Sequence, residues 1–144
     1  MNHSTLMLGT LVAWLACASS PAAADAVPPR LYEVTAETIM PHLEESLRHA
    51  VTREQRCLHA HDLADAFPIL SHESLKGCRL SDAIHRGHAV DYRLVCTGGN
   101  GTTGVARWQL DTDQWRGMLE VKLGGKNMTF YQRVTARPLG ACEP

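Results

Sequence analysis

A regular alternation of apolar and polar residues is the feature that most constrains this sequence. Residues 90–96, 105–110, 115–123 and 128–136 place most of their apolar side chains at every second position. A period of two puts those side chains on one face of a β-strand. The turns between the runs, such as 124–127, are short, so consecutive strands run antiparallel. The sequence therefore predicts a mainly β (α+β) fold, a curled antiparallel meander sheet with one apolar face.

The last hairpin of this meander has a defined register. With Gly124 to Asn127 as its turn, Leu123 faces Met128 and Val121 faces Phe130. Both pairs are apolar, which places them on the buried face of the sheet.

The hairpin before it predicts a disulfide. If residues 86–88 form a three-residue loop, His85 pairs with Ala89, and the same register places Cys78 directly opposite Cys96. A two-residue loop would put the two cysteines on opposite faces, and a bulge could shift the register by one. We therefore predict the pair Cys78–Cys96.

The N-terminal half has a mixed pattern. Residues 31–39 alternate and predict a strand, and residues 51–58 predict another. Residues 41–50 favour one or two turns of helix, and residues 59–67 favour a short helix that Pro68 ends.

The first residues are typical of a secretory signal peptide. Residues 1–24 contain no Lys, Arg, Asp or Glu, and an apolar run at 6–18 precedes the small residues 22–24. The run is shorter than the roughly 20 residues that span a bilayer. We expect a signal peptide over 1–24, an extended lead-in over 25–30 and one disulfide-stapled β-rich domain over 31–144.

Cys17 leaves an alternative to simple cleavage. Lipoproteins are cut before a cysteine that follows small residues, and the Ala-, Ser- and Pro-rich residues 18–29 resemble a tether. The expected location is therefore the periplasm, with an envelope lipoprotein anchored through Cys17 as the alternative.

The cysteine count agrees with export. Without the leader, four cysteines remain: Cys57, Cys78, Cys96 and Cys142. An even number in a short exported chain predicts two disulfides, each worth about 2–4 kcal/mol. With Cys78 bound to Cys96, the second pair is Cys57–Cys142, which ties the N-terminal half to the C-terminus.

Size and charge exclude some functions. The chain has 144 residues and a formal net charge of -1, with a pI near 6.7. One domain fits this length, and a near-neutral chain lacks the positive field of a nucleic-acid binder. We expect no nucleic-acid partner and no transmembrane span.

His59 and His61, followed by Asp62, suggest a metal site. Imidazole and carboxylate groups suit zinc or copper. On a helix the two histidines would point about 200° apart, whereas in an extended segment they would share one side. The sequence leaves both possibilities open.

Aromatic residues in the predicted sheet suggest a binding surface. Tyr92, Trp108, Trp115 and Phe130 could line a ligand pocket on the concave face or fill the core. We find no nucleophile elbow, no zinc-protease helix motif and no Cys-x-x-Cys, so no catalytic residue and no cofactor is predicted.

The sequence resembles a family of small exported bacterial proteins catalogued as a domain of unknown function, DUF3617. The resemblance covers nearly all of the chain after the leader. The residues that carry it are the strand motif 31–35, Cys57-Leu58 before Asp62-Leu63, Cys78, Cys96 before a Gly-rich turn, and the ending 137–142. Arg30 stands where the family usually has Gly, and Pro138 where it often has a basic residue. The resemblance implies an envelope location and a compact β-rich domain, with no established activity.

These observations predict an uncharacterised exported protein that is not an enzyme. Its predicted role is that of a binding or structural module, taking a small apolar ligand or an envelope partner through its curled sheet. The alternative is a metal-handling protein that uses His59, His61 and one more distant His or Asp.

Overall fold

The structure, a computed structural model, describes residues 28–41, 49–98, 100–125 and 128–143. The predicted signal peptide, Cys17 and residues 42–48 of the predicted helix lie outside the described residues. The helix predicted over 41–50 is wrong at its end, because His49 and Ala50 are the first residues of a strand.

The described chain forms one seven-stranded antiparallel sheet. Its strands are β1 (Arg30–Ile39), β2 (His49–Leu58), β3 (Cys78–Arg86), β4 (Ala89–Cys96), β5 (Thr103–Leu110), β6 (Trp115–Leu123) and β7 (Met128–Ala141). The spatial order is β2-β1-β7-β6-β5-β4-β3. The strands β3 to β7 form the predicted meander, and β1 joins it beside β7, so the mainly β prediction is confirmed. In the last hairpin Leu123 faces Met128 and Val121 faces Phe130, also as predicted.

Between β2 and β3 lie three short 3₁₀ helices, Ala60–Asp65, Pro68–Ser71 and Glu73–Leu75, which we call the 3₁₀ segment. It occupies the place of the short helix predicted over 59–67. The segment buries Leu63, Phe67 and Leu75 against the apolar face of the sheet. Because side chains in β-strands alternate, that face is continuous across the strands.

The sheet curls around the 3₁₀ segment. Glu54 of β2 and Arg79 of β3, from the two edge strands, line the same cleft as Phe67. A buried glutamine, Gln132 of β7, holds the segment in place: its Oε1 accepts the Ile69 N–H at 3.1 Å and its Nε2 donates to Thr38 Oγ1 at 2.8 Å. These bonds satisfy a polar group that is 3% exposed, which would otherwise be costly to bury.

The β3–β4 hairpin differs from the prediction at its tip. Arg86 pairs with Ala89 and His85 pairs with Val90, so the loop has two residues, Gly87 and His88. Gly87 has a φ of 61°, which a two-residue hairpin loop favours and glycine adopts without strain. The predicted three-residue loop and the pairing of His85 with Ala89 are therefore wrong.

A bulge further along the hairpin restores the cysteine register. The register shifts between Ser81 and Ile84, and Asp82 adopts a positive φ of 58°. Beyond it Cys78 faces Cys96, and the two form the predicted disulfide, with a Cα–Cα distance of 3.9 Å. The bulge also turns Ile84 outward, where it is 50% exposed, although its sequence parity places it on the apolar face with Leu80.

The second disulfide, Cys57–Cys142, also forms as predicted, with a Cα–Cα distance of 5.8 Å. It lies at the end of the sheet where β1 begins and β7 ends, whereas Cys78–Cys96 lies at the opposite end. The departures from the family pattern at Arg30 and Pro138 do not interrupt β1 or β7, but the β1–β7 register shifts beside Leu31. One covalent link thus braces each end of the sheet.

Candidate functional site

The curled sheet forms a cleft at the end where β1 begins and β7 ends, which we call the open end. Its volume is about 710 Å³. Its apolar lining includes Tyr32, Leu58, Leu110, Trp115 and Pro138. These residues belong to β1, β2, β5, β6 and β7, so the cleft exists only once these five strands have come together.

Tyr32 and Trp115 form an aromatic pair in this cleft. Their ring centroids lie 4.6 Å apart and their planes are inclined by 34°. Their strands are separated by β7, whose residues at these positions, Ala136 and Pro138, are small enough for the rings to meet across it. Tyr32 is 3% exposed, whereas Trp115 is only partly buried. Burial raises the pKa of the Tyr32 hydroxyl, with Arg30 opposing the shift, so the phenol stays protonated at neutral pH.

Polar residues surround the pair of Tyr32 and Trp115, which we call the aromatic floor of the cleft. Arg30, His59, His88, Asp111 and Gln114 all line the cleft. A small number of polar groups around an apolar surface is the usual composition of a small-molecule site, in which the apolar area gives affinity and the polar groups give orientation.

Asp111 is the best-anchored polar group of the rim. Arg116 Nη2 donates to Asp111 Oδ2 at 2.6 Å, and the Asp111 N–H donates to the Gln114 carbonyl at 3.1 Å. The Arg116 hydrogen bond lowers the pKa of the Asp111 carboxyl against an opposing effect of desolvation, and a hydrogen bond from Gln109 and the charges of Arg116 and His88 lower it further. The β5–β6 turn therefore holds an ionised carboxylate, paired with Arg116, beside Trp115.

A second polar group at the open end consists of His59, His61 and Asp62, which we call the histidine cluster. His59 precedes the first 3₁₀ helix in an extended conformation, with φ -102° and ψ 160°. Its ring stacks on that of His61, with centroids 4.5 Å apart. Neither of the two possibilities left open by the sequence holds for the whole segment: His59 is extended, whereas Ala60 and His61 already belong to the first 3₁₀ helix, and the two imidazoles nevertheless stack.

Asp62 completes the cluster. His61 Nε2 lies 3.2 Å from Asp62 Oδ1, and the His59 N–H donates to Asp62 Oδ2 at 2.9 Å. One potential ligand atom from each of the three residues lies within 4.8 Å of the others. His59 is the member that also lines the cleft.

The four aromatic residues singled out in the sequence lie in different places. Trp115 lines the cleft, but Trp108 is fully buried, with its ring centroid 5.1 Å from that of Phe67 and its indole N–H donating to the Leu63 carbonyl at 3.1 Å. Tyr92 is 9% exposed, and burial raises the pKa of its hydroxyl. Phe130 lines a separate cavity of about 170 Å³. The ligand-lining role stays a prediction, and the structure favours it for Trp115.

Sequence reasoning missed Tyr32. Its place in the alternating strand β1, at the same parity as the buried Val34 and Ala36, shows that it points inward. Its partner could not be found in the same way, because β1 and β6 meet only through the sheet order, which places β7 between them.

The fold and the cleft together define a small, disulfide-braced domain made of one curled antiparallel sheet. The chain belongs to the family described as protein of unknown function (DUF3617), whose model matches residues 27–142. No curated protein and no solved structure matches the chain. Within the residues that the structure describes, no helix is long and apolar enough to cross a membrane.

Proposed function

We propose that this protein is an exported binding module that holds a small apolar ligand in the cleft at the open end and does not transform it. The observation that carries the proposal is the position of Trp115. Its ring rests on Tyr32 and borders a cleft of about 710 Å³ while remaining partly accessible. The sheet holds this large, partly exposed aromatic ring in one position. Little conformational entropy of the protein is therefore lost when a ligand binds against the ring.

The size of the cleft favours a small molecule over a protein partner. Small-molecule sites usually have volumes of roughly 300–1,000 Å³ and bury most of the ligand, whereas protein interfaces are broader and flatter. The cleft is also built from separate strands joined by one disulfide at this end, Cys57–Cys142, which supports a fixed rather than an adaptive shape.

Binding without catalysis agrees with the chemistry of the groups present. The four cysteines of the domain are paired in disulfides, so none of them offers a thiolate nucleophile. The carboxylate beside Trp115, that of Asp111, is held ionised by Arg116, which suits orientation of a ligand more than proton transfer near neutral pH.

An oxidising compartment is part of the proposal. Two disulfides in so short a chain support a location outside the cytosol, namely the periplasm after removal of the leader. The processed protein should begin at Asp25 or close to it. N-terminal sequencing and intact-mass measurement of protein from native cells test this, and a lipid on Cys17 would instead establish the anchored form.

Ligand binding is tested by titration with a neutral naphthylamine probe, whose fluorescence rises in an apolar site. Wild-type protein should give saturable binding, and Trp115→Ala should weaken it at least tenfold, because the accessible half of the aromatic floor is lost. Met118→Ala is the matched control, since Met118 is an exposed apolar residue on the opposite face of the sheet.

Two outcomes would contradict the proposal: no saturable binding, or equal binding by wild type and Trp115→Ala. Mass spectrometry of protein isolated gently from native envelopes then identifies the natural ligand. A co-purifying protein in place of a small molecule would favour the alternative of an envelope partner.

Metal handling is the alternative function, predicted from the sequence for His59, His61 and one more distant His or Asp. In the structure the carboxylate grouped with the two imidazoles is that of the adjacent Asp62. The observation that favours metal handling is the convergence of these three groups at the open end.

A further inference from the structure

We infer that the histidine cluster is a binding site for a divalent transition-metal ion of intermediate softness, represented by Zn²⁺. This inference is independent of the ligand proposed for the cleft, because the metal would be held by His59, His61 and Asp62, and Tyr32 and Trp115 would take no part.

The distances already approach those of a coordination sphere. Zinc binds imidazole nitrogen and carboxylate oxygen at roughly 2.0–2.2 Å, so two ligands of a tetrahedral site lie about 3.3–3.6 Å apart. His61 Nε2 and Asp62 Oδ1 lie 3.2 Å apart. One potential ligand atom from each of His59, His61 and Asp62 lies within 4.8 Å of the other two, so side-chain rotations can bring the three residues around one ion.

The cluster can make that rotation without disturbing the fold. The His61 side chain is 77% exposed, so little of it is packed against the core and its movement costs little burial. The stacked arrangement of the two imidazoles places both rings on one side of the segment, which is the requirement for a shared ion.

Asp62 is oriented by the backbone. Its Oδ2 accepts the His59 N–H at 2.9 Å, which leaves Oδ1 on the side of His61. Hydrogen bonds of this kind to a ligand carboxylate fix its direction, and their loss commonly weakens metal binding by about 10–100-fold. The backbone bond from Asp62 N–H to the His59 carbonyl, at 3.0 Å, keeps the three residues in one turn.

The donor set selects the class of ion. Two neutral imidazoles and one carboxylate suit Zn²⁺ and Cu²⁺, whereas Mg²⁺ and Ca²⁺ prefer sites made of oxygen. Three protein ligands leave a fourth position to water. His59 also lines the cleft, so a bound ion would lie beside the polar rim.

Calorimetric titration of the full chain with zinc chloride tests the site. Wild-type protein should bind one Zn²⁺ saturably at micromolar concentration, and Mg²⁺ should give no binding. His61→Asn should lower the zinc affinity at least about tenfold, because it removes a ligand rather than a supporting hydrogen bond. Its unfolding temperature should remain that of wild type, since the side chain is exposed.

His72→Asn is the matched control. His72 lies at the other end of the sheet, near Phe130, and its Nδ1 accepts the Ser74 N–H at 3.1 Å, a bond that an asparagine oxygen can replace. This variant should bind zinc like wild type. In NMR spectra, zinc should shift the imidazole signals of His59 and His61 and leave that of His72 unchanged.

A second variant keeps the test independent of His61. Asp62→Asn retains an oxygen that can accept the His59 N–H but removes the charge, and it too should weaken zinc binding. The inference fails if wild type takes up no zinc at micromolar concentration, or if His61→Asn and Asp62→Asn both bind zinc as tightly as wild type.

Discussion

Trp108 and Trp115 stand on either side of one turn, and the fold uses them in opposite ways. Trp108, on β5, is fully buried, contacts Phe67 and donates its indole N–H to the Leu63 carbonyl. Trp115, at the start of β6, is partly exposed and rests on Tyr32 at the mouth of the cleft. Both residues are tryptophans on the apolar face of the sheet, so the difference in exposure arises from what lies opposite each ring.

Opposite Trp108, the 3₁₀ segment covers the sheet, and Gly117 lies in the neighbouring strand position with no side chain. The Trp108 ring therefore fills the space beside Gly117, and its indole N–H is hydrogen-bonded to the Leu63 carbonyl. Trp115 instead has Ala136 as its neighbour on β7 and an open cleft in front of it. The comparison shows that the 3₁₀ segment divides the apolar face into a covered core and an open cleft, which is the proposed binding surface.

The largest effect should come from truncating the buried tryptophan. Trp108→Ala should lower the free energy of unfolding by about 5 kcal/mol, because it leaves a cavity and an unpaired Leu63 carbonyl. Trp115→Ala, which removes a partly exposed ring, should cost about 1–2 kcal/mol. Urea denaturation monitored by circular dichroism measures both. Equal losses for the two variants would show that the division into core and binding surface is wrong.

The two disulfides offer a comparison of the two ends of the sheet. Their cysteines are separated by 85 residues in Cys57–Cys142 and by 18 in Cys78–Cys96. On the chain-entropy model, replacing Cys57 and Cys142 by serine should lower the free energy of unfolding by about 4.5 kcal/mol. Replacing Cys78 and Cys96 by serine should lower it by about 3 kcal/mol.

The first replacement should also weaken probe binding in the cleft, because Cys57–Cys142 lies at the open end, whereas the second should not. Probe titration at a temperature where both variants are folded separates the two effects. Weaker binding in the Cys78–Cys96 variant alone would contradict this assignment.

A smaller effect is expected where β6 approaches the buried ring. A Cβ at Gly117 would lie 2.8 Å from the nearest ring carbon of Trp108, too close for an ordinary contact. Gly117→Ala should therefore lower the free energy of unfolding by about 1–3 kcal/mol, because the added methyl group overpacks the contact with Trp108. In a Trp108→Phe background the same change should cost less, since the smaller ring leaves room. An unchanged cost in the double-mutant cycle would mean that the two positions are not coupled.

The smallest effect concerns the charged rim beside Trp115. The hydrogen bond from Arg116 lowers the pKa of Asp111 below its ordinary value of 3.8, so its ionised form favours the folded state. That contribution is complete above the ordinary value and is lost as the pH falls through the lowered value of the folded state. The stability difference between wild type and Asp111→Asn should be small at neutral pH and should vanish in acid. Denaturation midpoints over a pH series measure it, and a difference that grows in acid would contradict the assignment.

Local pattern was sufficient for much of the fold. Alternation predicted the inward face of β4, β6 and β7, and the register of the last hairpin followed from its turn. The disulfide Cys78–Cys96 was predicted correctly from a wrong loop, because the two-residue loop and the bulge at Asp82 shift the register in opposite directions. The bulge could not be predicted, because no residue pattern in the sequence indicates the positive φ of Asp82.

The site depended on information that local pattern does not contain. Tyr32 and Trp115 are brought together by the sheet order, which places β7 between their strands. Likewise, His59 and His61 converge where an extended residue meets the start of a 3₁₀ helix, an arrangement that was neither of the two possibilities considered from the sequence.

The central claim is that Trp115 belongs to a ligand site and Trp108 to the core. NMR spectra of the folded protein, recorded as the neutral naphthylamine probe is added, test it directly through the indole N–H signals of the two residues. The signal of Trp115 should move in proportion to probe occupancy while that of Trp108, bonded to the Leu63 carbonyl, stays in place. Movement of the Trp108 signal without that of Trp115 would contradict the account.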